Sequence, residues 1–190
     1  MSRSHSNALL TASRTARSSA SEVARPSDMN LDDHAGVKAN VIALARERSN
    51  QADASRLGLP YDAVAAVLRR AVYRVGRMYI KAGKVEGLQH YLQAANRRQE
   101  RTDTSVFLSV FRLLDGDLPV TGFGGSNCRK YAAAMTVACN WDIHPAYLDH
   151  FVQQMGGWEK MRKDVAEKDK PGWVEGLTSR FRNKRGSESD

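Results

Sequence analysis

The stretch YDAVAAVLRRAVYRVGRMYIKA, residues 61–82, decides the fold class. In it Val64, Val67, Leu68, Ala71, Val72, Val75, Met78 and Tyr79 recur at i, i+3, i+4 and i+7, the spacing that stacks side chains on one face of a helix. Pro60 stands just ahead of it at a helix-opening position, and Gly83 just after it supplies the left-handed conformation on which helices commonly end. The spacing predicts a helix over 61–82. Only Gly83 and Lys84 separate it from a second helical pattern at about 85–100, carrying Val85, Leu88, Tyr91, Leu92 and Ala95, so the two should form a tight helical pair.

The same period continues in both directions. Upstream, Asp32 and Asp33 suit a helix N-terminus, and Val37, Val41, Ile42, Leu44 and Ala45 carry a helix to about Ser49, with a polar connection at 50–59. Downstream, Thr102 or Asp103 caps a run containing Val106, Phe107, Val110, Phe111, Leu113 and Leu114. On propensity alone Val106–Phe111 reads equally as a buried strand; the lack of a partner strand favours helix. Ser126 or Asn127 then caps a helix to about Asn140, and Pro145 opens one bearing Leu148, Phe151 and Val152 that stops at Gly156-Gly157. Short helices around Trp158–Met161 and Trp173–Leu177 complete the set, with the three tryptophans as packing anchors. Four of the five prolines fall between these segments. The expectation is an all-α, compact multi-helix domain of about six to eight helices over 31–178.

Composition limits the flanks and the setting. Residues 1–30 hold eight serines, seven of them before position 22, with four arginines, two acids and few large apolar groups, which predicts a disordered Arg/Ser-rich arm; a transit peptide is the sharper alternative, and its apolar face is poor. Residues 179–190 read as a basic, polar tail. No apolar run approaches the length of a spanning helix, and none reads as a secretory signal. Two cysteines make no disulfide framework, which points to a reducing, cytoplasmic or nucleoid-associated setting.

The chain carries 29 Lys and Arg against 21 Asp and Glu, a net charge of +8. Residues 61–101 concentrate it, with Arg69, Arg70, Arg74, Arg77, Lys81, Lys84, Arg97, Arg98 and Arg101 against Asp62, Glu86 and Glu100. At 100° per residue, Arg69, Arg70, Arg74, Arg77 and Lys81 share one sector of the 61–82 helix. A solvated face usually alternates signs at i, i+4; this one accepts like-charge repulsion. Such a sector suits phosphate contact, where released counterions give sequence-independent affinity. The nine cations are therefore the expected nucleic-acid contact, with the phosphates of duplex DNA as the expected partner. Two other readings stay open: an acidic protein partner or membrane surface on the same face, and a face that simply meets solvent or is neutralised by acids such as Asp32, Asp33, Asp115 and Asp117 within the fold.

Chemistry of other kinds is weakly encoded. The loop Gly122–Asn127 leads into a helix with Arg129 and Lys130, so Gly124, Gly125, Ser126, Arg129 and Lys130 form a candidate anion contact, yet the Walker spacing is absent. Cys128 lies beside two cations, as activated thiols do, but shares a face with Tyr131, Met135 and Cys139. No two histidines have metal-ligand spacing, no zinc-finger or helix-turn-helix pattern fits, and no cofactor motif is present. Trp173 and Phe181 beside the basic tail admit a membrane-surface or partner-binding helix. The sequence thus predicts a non-catalytic, regulatory nucleic-acid-binding protein, with a helical adaptor for an acidic partner as the alternative and a homo-oligomer left open.

Overall fold

The structure, a computed structural model, describes residues 29–55, 64–95, 105–116, 124–164 and 171–178, with backbone alone for 48–55 and 162–164. The expected arm, the basic tail, and Arg97, Arg98 and Arg101 lie outside the described residues. What is described is all-α: α1 (His34–Ser55), α2 (Val64–Ala82), α3 (Val85–Ala94), α4 (Val106–Leu114), α5 (Gly125–Asn140), α6 (Leu148–Gln154) and α7 (Trp158–Asp164). Two 3-10 turns join them, Pro145–Tyr147 ahead of α6 and Gly172–Leu177 at the C-terminal side. Among the described residues the one β contact is an isolated antiparallel bridge between Ile143 and Thr178.

Helix α2 is central, packing on α1, α4, α5, α6 and the Pro145–Tyr147 turn. Leu68, Val72, Val75 and Tyr79 on it are buried, as the apolar spacing requires, but so are Tyr73, Gly76 and Arg77. Helix α4 is apolar almost all round, with every residue but Arg112 buried, which is how a helix reads when neighbours cover its full circumference. That settles the ambiguity of Val106–Phe111: it is helical, with α1, α2, α3 and α5 packed around it and no strand beside it among the described residues. Gly76 allows the close approach of α2 to α4, since a Cβ there would overlap the Phe107 ring. One contiguous core runs from Leu31 through α1–α6 to Met161 and Val174.

The helix ends show local chemistry. Asp33 caps α1 with its carboxylate accepting from the Gly36 N–H at 2.9 Å. Gly83, at φ 65°, ends α2 in a Schellman arrangement in which Lys84 N–H bonds the Tyr79 carbonyl. Several boundaries differ from the sequence reading. Helix α1 runs to Ser55 rather than Ser49, because 50–55 is polar but contains no glycine or proline to stop a helix. Gly124, not Ser126 or Asn127, is the N-cap of α5. Ser105 stands at the N-cap of α4 without a side-chain cap, and its hydroxyl instead meets the Thr136 hydroxyl at 2.8 Å, tying α4 to α5.

Candidate nucleic-acid interface

The cations of α2 do not form one surface. Arg77 is 6% exposed and points into the corner where α5 ends. Its guanidinium donates to the Ile143 carbonyl and the Asp142 carboxylate and lies 5.7 Å from the Tyr73 ring centroid. The Tyr73 hydroxyl donates to the same Ile143 carbonyl at 2.8 Å. Burial pushes the Tyr73 phenol well above its ordinary range, with the Arg77 charge opposing.

The corner has unusual backbone. Asp142 has φ 54°, the one non-glycine residue with positive φ among the described residues. The Ile143 N–H bonds the Ala138 carbonyl at 2.8 Å and the Asp142 N–H bonds Cys139 at 2.9 Å, so Asp142 takes the place glycine usually fills in a Schellman turn. Asp is among the few residues that tolerate this conformation, and here its carboxylate is aimed at Arg77. His144 N–H then bonds the Leu177 carbonyl at 2.8 Å, fastening the last 3-10 turn to the same corner.

About two turns of α2 further back, Arg69 and Arg70 converge on Asp149 in the first turn of α6. The nearest N···O separations are 3.6 Å from Arg69 and 3.5 Å from Arg70. The Arg69 guanidinium is also set over two rings, 5.3 Å from the Tyr131 centroid and 5.1 Å from that of Trp158. Burial raises the Asp149 pKa, and the two arginines oppose that shift. Lys84, at the start of α3, pairs with Asp32 at 2.6 Å on the surface. Arg74 and Lys81 are exposed.

Neutralisation within the fold thus reaches Arg69, Arg70, Arg77 and Lys84, and Arg77 is withdrawn from the sector assigned to solvent. Of the acids anticipated as partners, Asp32 is one, Asp33 caps α1 and Asp117 lies outside the described residues. Asp142 and Asp149 were not anticipated. Their signal was present in position alone: they flank the Pro145–Tyr147 turn, the connection that crosses α2.

The second candidate, at the start of α5, is split as well. Gly124 is extended at the N-cap, Gly125, Ser126 and Arg129 are exposed, and Lys130 pairs with Glu159 of α7. Cys128 is buried, and burial with the nearby Asp115 charge pushes its thiol up to about 11, away from the reactive thiolate. His34 stacks on Tyr79 and meets Tyr91 at a tilt, with Nδ1 2.8 Å from the Tyr79 hydroxyl. His144 caps the following 3-10 turn. Among the described residues no three His, Cys, Asp or Glu side chains group as a metal site, and no helix is long and apolar enough to cross a membrane. Trp141 and Trp173 both pack on Phe151, and Trp158 packs edge-on against Tyr131. Comparison with protein-family models, curated proteins and solved structures finds no match for this chain.

Proposed function

We propose that this chain is a non-catalytic helical protein that binds the phosphates of nucleic acid, duplex DNA being the simplest substrate. The supporting observation is the charge left over once the internal pairs are formed. Each ion pair cancels one charge of each sign, so the pairs to Asp32, Asp142 and Asp149 leave the net +8 of the chain unchanged. What remains on the outside of α2 is Arg74 and Lys81, both exposed and seven residues apart on one side of the helix. Arg97, Arg98 and Arg101, then Arg180, Arg182, Lys184 and Arg185, are the further cationic clusters of the sequence. Arg69 and Arg77 are read as structural.

The test is a titration of the full chain against duplexes of unrelated sequence at several salt concentrations. The expected result is affinity that falls linearly in log–log form, with a slope of about −0.9 for every phosphate neutralised. No binding at low salt contradicts the proposal. Binding to a polyacidic peptide with none to duplex would assign the same face to an acidic protein partner.

A further inference from the structure

We infer that residues 171–178 are a tether: they start the C-terminal cations Arg180, Arg182, Lys184 and Arg185 beside Arg74 and Lys81, so that the two sets grip one duplex as a bivalent contact. This rests on the nucleic-acid reading above and adds to it a second contact and the device that positions it.

The tether is fastened along its length. Val174, on the 3-10 turn Gly172–Leu177, is fully buried and belongs to the core. The Trp173 ring lies 6.0 Å from that of Phe151 on α6. The Leu177 carbonyl accepts from the His144 N–H at 2.8 Å, and Thr178 is bridged to Ile143. Thr178 is itself buried, and its hydroxyl donates to the Glu175 carbonyl at 3.0 Å, closing the turn. A segment this short has no helical stability of its own, so these contacts are what hold it.

The place of attachment is next to the α2 row. Across the bridge from Thr178, the Ile143 carbonyl accepts from the Arg77 guanidinium and the Tyr73 hydroxyl of α2. Arg77 stands between Arg74 and Lys81 on that helix, about 4.5 Å from one and about 6 Å from the other along the axis. Bridged residues of antiparallel chains have Cα atoms about 5 Å apart, and a chain spans at most about 3.6 Å per residue. Arg180 therefore begins within about 7 Å of Thr178 whichever way the backbone runs. Of the nearby acids, Asp142 is paired with Arg77, and Glu175 is a single exposed acid ahead of the four cations that follow. Cations gathered at one edge repel one another, and a row of phosphates relieves that repulsion. Joining the two sets also makes the second contact intramolecular, at an effective concentration that falls roughly as the −3/2 power of the chain between them.

The test compares three variants of the full chain with wild type, each titrated against duplex DNA over a range of salt. A stop after Ser179 removes the four cations; it should shrink the log–log slope by about 0.9 for each phosphate they neutralise, and by at least about 1.8. A flexible Gly/Ser insert of about ten residues after Ser179 lengthens the chain from Thr178 to the middle of the cluster about threefold. It should keep the slope and weaken binding about fivefold at each salt concentration. The same insert after Asp169 lies ahead of the tether and should leave affinity at the wild-type value, because Val174 and the Ile143 bridge still fix Thr178. A wild-type slope after truncation, or two inserts with the same effect, overturns the inference. If the Asp169 insert fails to fold by circular dichroism, the Ser179 insert decides alone, since unchanged affinity is enough to overturn it. A slope sensitive to Arg74 and Lys81 but not to the tail removes this inference and leaves the broader proposal standing; absent duplex binding removes both.

Discussion

Arg77 donates to two acceptors at the end of α5, the Asp142 carboxylate and the Ile143 carbonyl, the second of which it shares with the Tyr73 hydroxyl. Replacing it with methionine keeps most of the apolar stem and removes the donors. The expected loss is about 2–4 kcal/mol in chemical denaturation, below the full figure for a buried pair because a third of the Asp142 side chain meets water. A loss within half a kcal/mol of zero would show that the corner does not rely on the Arg77 donors. The buried phenols give a second prediction at this scale. Burial raises Tyr79 from 10.0 to about 12 and Tyr73 further still. The unfolded chain ionises first, so stability present below pH 10 falls as pH rises from there through the folded-state values. In a spectrophotometric titration these two tyrosines should give phenolate absorbance late, in step with loss of helical signal. Six tyrosines titrating together ahead of unfolding would contradict the burial described here.

Helices α2 and α4 meet at Gly76, where the Phe107 ring occupies the space a side chain would need. Gly76→Ala raises helix propensity but overpacks this contact, and overpacking is the larger effect, with an expected net loss of about 1–2 kcal/mol. A more stable variant in thermal melts would mean that α4 shifts freely away from α2. Helices as such were legible in the sequence, because apolar spacing on α2, α3 and α5 reports period directly. Ends were less so: Ser105 and Gly124 cap where Thr102 or Asp103, and Ser126 or Asn127, had equal chemical claim. The division of the α2 cations was not legible at all. Angle around a helix says which residues share a face, but not which element lies over it. Here the segment from Asp142 to Asp149 lies over the arginine sector, so that Arg77 and Arg69 became contacts rather than surface.

For the molecule as a whole, charge placement now separates two jobs. Arg77 joins α2 to the end of α5 and Arg69 joins it to the first turn of α6, with aromatic rings under each guanidinium. Arg74 and Lys81 face outward and, with the cationic clusters elsewhere in the chain, are proposed to meet phosphate. The most direct measurement is the salt dependence of duplex binding for wild type and for the double variant Arg74→Ala/Lys81→Ala. The account predicts that the double variant melts as the wild type does while its log–log slope shrinks by about 1.8, two phosphate contacts. An unchanged slope with unchanged stability would contradict it.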